Sequence, residues 1–393
     1  MFGVGRMGLV HLEHLAKLAR NGAIELVAIG DRHPPVLEHA RRMLTSLSTR
    51  PDSPHSPATG ASATGTSVTP TFTTPDAMAD ECQLDACVVA SRTEDHARDT
   101  LALASRGVAV LVEKPMAQTL AEAAAFTEQL GALGAQRDRV QIAFQRHYDA
   151  AARAATKWVV DGRIGSLQQS HHVLQDKNPT PAAYQSAGIT ADMAIHLIFE
   201  AMSFHAFELP ASVQALRFMA PHYDDRANEG ANVVHAFLQW TDGSVAHLWG
   251  SRINNTGYDN GFKMIGTDGR IDVGEFVGDF GPIHAKLWTG TCGSSRGVLA
   301  ESLTFDMTTT SADQPDFYAR YGAAYGAEID AFIAVVSAQR PCAPGVDVGW
   351  KTMLVAELAE RSSLSAGRRF VVRGADDAPI ADARQAAEFI AAL

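Results

Sequence analysis

The sequence predicts an α/β chain in two parts. Residues 1–146 read as a doubly wound parallel sheet, and 147–393 as an α+β part with a large, mainly antiparallel open sheet. Three observations carry this. A glycine turn is followed by a helix, a strand and an acid within the first 31 residues. Short apolar runs then alternate with helical patterns, as in parallel sheets. From about Ala150 the runs alternate apolar and polar residues between turns, as in antiparallel sheets.

Gly3, Gly5 and Gly8 fit G-x-G-x-x-G. Leu9, Leu12, Leu15, Ala16 and Ala19 then recur every three to four residues, the face of a helix. Ile24–Gly30 is an apolar run of strand length that ends at Asp31, 31 − 8 = 23 residues after Gly8. This is the pattern of a Rossmann dinucleotide-binding unit. There the first glycine permits a tight turn, the second admits a pyrophosphate to the backbone, and the third lets helix and strand pack. A carboxylate at Asp31 accepts hydrogen bonds from an adenosine ribose and repels a 2′-phosphate, which favours NAD over NADP. Neighbouring Arg32 weakens that preference, since it could meet a phosphate. Only Met1 and Phe2 precede Gly3, where a strand of about 5–6 residues is expected. Either that strand is a stub or the natural start lies upstream.

Strands are expected at Ala86–Ala90, Ala109–Val112 and Val140–Phe144, with helices over about Glu94–Arg106 and Leu120–Leu133. Of residues 46–75, 21 of 30 are Ser, Thr, Pro or Gly, so about 48–70 reads as a disordered surface insertion. In the second part a helix covers Ala150–Val160. Strands are expected at Val233–Trp240, Ser244–Ser251, Phe262–Ile265 and Arg270–Val273, with turns at Thr241-Asp242-Gly243 and Thr267-Asp268-Gly269. Helices return at Tyr325–Ser337, Gly349–Arg361 and Arg384–Leu393.

Composition excludes several classes. The 33 Lys+Arg against 44 Asp+Glu give a net charge of −11, which argues against a general nucleic-acid binder. No apolar stretch approaches the roughly 20 residues of a membrane helix. Four cysteines, Cys82, Cys87, Cys292 and Cys342, form no C-x-x-C pair and read as free thiols of a cytoplasmic protein. His11, His14, His171 and His172 show no zinc spacing, so no metal is expected. His11 and His14 read as ordinary helix-packing or exposed residues.

The chemistry gathers elsewhere. Lys114 ends a parallel strand at the edge where doubly wound sheets bind ligands. Asp192 and His196 are four apart, one face of a helix. Facing a nicotinamide, histidine can take a hydroxyl proton while hydride leaves carbon. Lysine can stabilise the developing charge on the same oxygen, and aspartate can orient the histidine.

The strings GVGRMG, VAIGD, VVASRTEDHA, VLVEKPMAQTLAEA, AFQRHYD, DKNPTP, GITADMAIH and GYDNGFKMIGTDGRI together resemble the Gfo/Idh/MocA oxidoreductase family. The likeness covers nearly the whole chain apart from 48–70. EKP with a later D-x-x-x-H is specific to that family, while NPT at 178–180 and GYD at 257–259 lean towards its inositol 2-dehydrogenases. The resemblance implies an NAD-dependent dehydrogenase of a cyclic polyol or sugar, myo-inositol first, working as a homodimer or homotetramer. It implies that Lys114, Asp192 and His196 are catalytic. Gly3, Gly5, Arg6, Met7, Gly8 and Asp31 would bind the dinucleotide, and Ser91, Arg92, His96 and Glu113 would line its nicotinamide side. Arg146, Asn178 and Tyr258 would touch substrate. Departures from the family pattern fall on the substrate side: Ser186-Ala187-Gly188, Leu197 and Asn260-Gly261. Rival readings on this scaffold are an NAD-using sugar hydrolase or epimerase, and a non-catalytic dinucleotide-binding regulator.

Overall fold

The first sheet is assembled from short parallel strands. The computed structural model describes residues 1–49, 69–177, 188–220, 231–274, 281–290, 296–308, 316–374 and 377–393. They form two units. The first comprises Met1–Ala117, Phe126–Ala143 and Ile329–Val346, and the second Gln118–Ala125, Phe144–Glu328 and Asp347–Leu393. Ile329–Val346 therefore belongs with the first unit, although the sequence division at 146 groups it with the second.

In the first unit, Met1 and Phe2 lead into α1 (Arg6–Arg20), β1 (Ile29–Gly30), α2 (Pro34–Thr49), β2 (Thr71–Phe72), α3 (Pro75–Glu81) and β3 (Ala86–Val89). Then follow α4 (His96–Ala104), β4 (Ala109–Glu113), α5 (Leu120–Ala132), which enters this unit at Phe126, and β5 (Val140–Ala143). β1 pairs with β2, and β3, β4 and β5 pair in that order, all parallel. Phe2 joins the two pieces through parallel bridges to Gly30 and Val89. Its N–H donates to Val88 O at 2.8 Å and its carbonyl accepts from Ala90 N at 2.9 Å. Phe2 thus stands between β1 and β3.

Of the expected strand Ile24–Gly30 only Ile29 and Gly30 are paired, with Thr71 and Phe72 of β2 and, at Gly30, with Phe2. Expected helix Glu94–Arg106 opens as a 3₁₀ turn at Thr93–Asp95 and is α-helical only over α4. The expected insertion lies outside the described residues except at its ends. There α2 runs to Thr49, and Pro70 O accepts from Ile29 N at 3.1 Å. The core gathers Val4, Leu12, Ile29, Val88 and Leu111, with Ile329 and Phe332 added from near the C-terminus.

In the second unit, after the first turns of α5 and a 3₁₀ turn at Gln145–Tyr148, comes α6 (Ala150–Val160), whose first turn is capped by Asp149 accepting from Ala152 N at 2.8 Å. Next come β6 (Leu167–Gln175), α7 (Ile195–Ser203), β7 (Ser212–Phe218), β8 (Val233–Gln239), β9 (Val245–Ser251) and β10 (Asp259–Gly266). β11 (Gly269–Val273), β12 (Ile283–Thr289), β13 (Val298–Phe305), α8 (Asp316–Ser337), α9 (Val346–Leu364), β14 (Phe370–Val371) and α10 (Ala383–Ala391) complete it, with the last turns of α8 in the first unit.

The sheet has nine strands in the order β13-β12-β11-β10-β6-β9-β8-β7-β14. β6 and β9 run parallel, and the other neighbours run antiparallel. Gln175 at the end of β6 pairs with Ser251 at the end of β9 and with Asp259 at the start of β10. Those three ends share one edge. Among the described residues no helix is long and apolar enough to cross a membrane.

Candidate functional site

In the first unit the glycine turn divides its three glycines between two tasks. Gly3 has φ +86°, and a Cβ there would lie 2.2 Å from Ser91 N. A Cβ on Gly8 would lie 2.1 Å from Gly3 O. Both positions are closed by backbone, so both serve chain packing. At Gly5 a Cβ would meet nothing within 4 Å, so that position faces open space. Gly5 also caps α1 with no side-chain hydrogen bond, and the first turn carries no acid. Uncapped N–H groups and the positive end of the helix dipole remain for an anion. The buried Ser91 hydroxyl beside Gly3 has no hydrogen-bond partner. Open glycine and bare helix terminus fit a dinucleotide pyrophosphate, and the orphaned hydroxyl offers one more polar contact beside them. Arg6 is exposed and Met7 half-buried in that first turn.

Asp31 is tied to this turn: its Oδ2 accepts from Val4 N and its Oδ1 from His33 N, each at 2.9 Å. Arg32, expected as a cation that could meet a phosphate, is instead engaged by Asp99 and Asp95. Arg92 is exposed and pairs with Glu94 at 3.1 Å. His96 staples two loops. Its Nδ1 lies 2.8 Å from Pro115 O and its Nε2 3.0 Å from Ser91 O, linking the end of β3 to the end of β4. Glu113 Oε1 accepts from His11 at 2.7 Å, and Oε2 from Lys114 N at 3.2 Å. Burial opposes ionisation of Glu113, but the His11 bond and the nearby charges of Lys114 and His96 hold its carboxyl below the usual range. Lys114 itself is half-buried.

In the second unit Asp192 and His196 stand on a helix of mixed winding. Thr190–Ala194 form a π-turn, and α7 starts at Ile195. Such widened turns are frequent at functional sites, and the plain α-helical spacing of the sequence did not reveal it. The Asp192 carboxylate is paired with Arg252, just past the end of β9. One turn beyond His196, Glu200 is buried. Its Oε2 lies 2.7 Å from His172 Nδ1 and its Oε1 3.6 Å from Arg146.

Arg146 is buried and stacks its guanidinium over Tyr321 at 5.1 Å. Its Nε and Nη1 have no hydrogen-bond partner. Tyr321 donates to Asn260 Oδ1, and burial pushes its phenol up to about 12. Tyr258 is raised further, first by burial and then by Tyr321, with Arg146 opposing. Asn260 Nδ2 and Gln175 Nε2 are also buried without partners. Beneath them Arg320 pairs with Asp149 and lies 4.5 Å above the Tyr321 ring. Arg146 and Tyr258 are therefore neighbours, whereas Asn178 lies outside the described residues.

Sequence reasoning missed His11, Arg252, Gln175 and Tyr321, and named Asn260 only as a departure from the family pattern on the substrate side. His11 is wholly buried on α1 and answers Glu113, 102 residues away, so it is neither exposed nor a mere packing residue. Arg252 meets Asp192 because the sheet brings the end of β9 to that edge, and no local spacing signals it. Among the described residues no cluster of His, Cys, Asp and Glu could hold a metal.

Two family models match the chain. The Gfo/Idh/MocA oxidoreductase family model, described as an NAD-binding Rossmann fold, covers residues 1–138, and the Gfo/Idh/MocA C-terminal domain covers 152–272. An inositol 2-dehydrogenase of Rhizobium meliloti is 28% identical over 280 residues, 70% of this chain and 77% of that protein. The crystal structure of a myo-inositol dehydrogenase from Corynebacterium glutamicum aligns with a TM-score of 0.70 at 23% identity, covering 95% of this chain and 98% of the other. A scyllo-inositol dehydrogenase from Lactobacillus casei, solved with NAD(H) and scyllo-inositol, aligns with a TM-score of 0.72 at 18% identity, covering 94% and 97%. These two likenesses establish the fold.

Proposed function

The chain belongs to the Gfo/Idh/MocA oxidoreductase family, and from that premise we propose that it is an NAD-dependent dehydrogenase of a cyclic polyol, with myo-inositol the first substrate to test. The observation that carries the cofactor half is the open Gly5 at the bare terminus of α1. The substrate half rests on the inositol 2-dehydrogenase relatives.

In this reading His196 takes the proton of a secondary hydroxyl as general base. Lys114 hydrogen-bonds the same oxygen and stabilises the negative charge that grows there. Asp192, steadied by Arg252, orients the imidazole. Bound NAD supplies the hydride acceptor. Gly5, with Arg6 and Met7 of the first turn, holds the pyrophosphate on a turn that Gly3 and Gly8 close, Asp31 holds the adenosine ribose, and Ser91, Arg92, His96 and Glu113 line the nicotinamide side. Arg146, Asn178 and Tyr258 position the polyol. The buried N–H donors of Arg146, Asn260 and Gln175 suit a ligand rich in hydroxyl acceptors. The same reading includes a homodimer or homotetramer.

A screen of inositol isomers, pyranoses and dihydrodiols with NAD and with NADP, followed by nicotinamide absorbance, tests this. Reduction of NAD by an inositol supports it. Conversion of a sugar with no net NADH would replace it by the redox-neutral hydrolase or epimerase reading.

A further inference from the structure

Arg32 leaves the chain directly after Asp31, where dinucleotide folds read the 2′ position of the adenosine ribose. A free arginine there would attract a 2′-phosphate. This one is held. Nη1 donates to Asp99 Oδ2 at 2.8 Å, and Nη2 donates to Asp99 Oδ1. Asp95 Oδ2 stands 3.5 Å from Nη1. The guanidinium also lies over the Phe2 ring at 5.1 Å. Asp99 is fully buried in the first turns of α4, with Asp95 one turn before it. Arg98, mostly exposed, also stands 3.5 Å from Asp99 Oδ1 and pairs with Asp95, but swinging Arg32 out to a ligand would still strip the buried carboxylate of its two direct hydrogen bonds, which is unfavourable. The pair is bidentate, which fixes the guanidinium by two bonds at once.

We propose that Asp99, with Asp95, is a determinant of cofactor choice that acts by sequestering Arg32. This rests on the NAD reading above. Asp99 touches no nucleotide in this scheme: it is a positioning residue, and selectivity against NADP comes both from the Asp31 carboxylate and from a cation kept out of reach. The arrangement makes Arg32 a latent phosphate ligand, released by a change about 67 residues away in the sequence.

The test is isothermal titration of the purified full chain with NADH and NADPH. In the wild type NADH binds more tightly than NADPH, and Arg32→Ala leaves the ratio of the two affinities within about twofold. Asp99→Asn frees Arg32 and raises NADPH affinity relative to NADH by about tenfold, the worth of one charge-assisted hydrogen bond. Adding Arg32→Ala to Asp99→Asn cancels that gain, which a merely structural effect of Asp99 would not do. A folded Asp99→Asn protein with an unchanged ratio overturns the proposal. So does a wild-type background in which Arg32→Ala alone weakens NADPH about tenfold, and that arm holds even where Asp99→Asn fails to fold. Wild-type protein that binds neither nucleotide overturns the cofactor reading itself, and this inference with it.

Discussion

His11 Nε2 and Glu113 Oε1 lie 2.7 Å apart, both buried, and join the helix behind the glycine turn to the residue before Lys114. Removing one partner of a buried pair costs about 3–5 kcal/mol, because the other is left uncompensated. His11→Leu is therefore expected to lose stability on that order, and His11→Leu with Glu113→Leu to recover much of it. The pH dependence follows from Glu113, whose folded carboxyl titrates below its ordinary value of 4.5. Such a group stabilises the fold above that value, and the contribution is lost as pH falls through the folded pKa. Urea unfolding of wild type and variant between neutral and acid pH checks both points: an equal acid loss in the two proteins would refute the coupling.

The three glycines are expected to separate folding from binding. A Cβ at Gly3 or Gly8 would sit within 2.2 Å of backbone, so Gly3→Ala and Gly8→Ala should misfold or melt early. Gly5 has φ −70° and open space before it, so Gly5→Ala should keep its melting temperature within a few degrees. Its methyl group would nevertheless occupy the approach to the pyrophosphate, and NADH affinity should fall at least about tenfold. Paired thermal melts and nucleotide titrations distinguish the outcomes. A Gly5→Ala protein with unchanged affinity would remove that glycine from the cofactor site.

Much of this architecture was legible because its signals are local. The glycine spacing, the helical period of α1 and the strand of β4 each lie within about ten residues. The Asp-Gly turns also give themselves away: Gly243 takes φ +89°, and Asp242 accepts from Ser244 N at 2.9 Å. What stayed hidden depends on sheet pairing. The sequence predicts no strand at β6, β7, β12, β13 or β14, although β6 holds the centre of the nine-stranded sheet. Its LQQSHHVLQ sequence buries Ser170 and His172 and so breaks the apolar alternation. His172 is tolerated inside because Ser170 and Glu200 satisfy both ring nitrogens. The same long-range logic hid Arg252 beside Asp192 and Asp99 beside Arg32.

Lys114 and His196 are expected to fail in chemistry rather than in folding. His196→Ala should lower kcat by about 100- to 10,000-fold, the usual worth of general acid–base catalysis, with NADH affinity changed only a few-fold. Lys114→Ala should lower kcat as well, since the oxygen loses its hydrogen-bond donor. Steady-state rates with the polyol found by screening, set beside nucleotide titrations, supply the measurement. Near-wild-type turnover in either variant would sink the assignment of that residue.

A run of imidazoles on β6, β9 and β8 should make the second unit sensitive to acid. His247 places Nδ1 2.8 Å from His171 Nδ1 and Nε2 3.1 Å from His235 Nδ1. Each contact needs one nitrogen to donate and the other to accept, which neutral rings allow. Burial lowers all three, and the charges of His171, His235 and His172 lower His247 further, to about 4. Lys263 adds to the effect at His171. As pH falls, the unfolded imidazoles take up protons near their ordinary 6.5 while folded His247 does so only near 4. The unfolded chain then binds more protons, so stability falls across that window and levels off below it. His205, stacked on Trp240 at 3.6 Å and also lowered to about 4, contributes to the same loss. His247→Gln keeps a polar group but removes the titration, so its unfolding free energy should decline less between pH 7 and pH 4 than that of the wild type, with the His205 part remaining. Equal declines in urea titrations at the two pH values would mean that the ladder does not couple to folding.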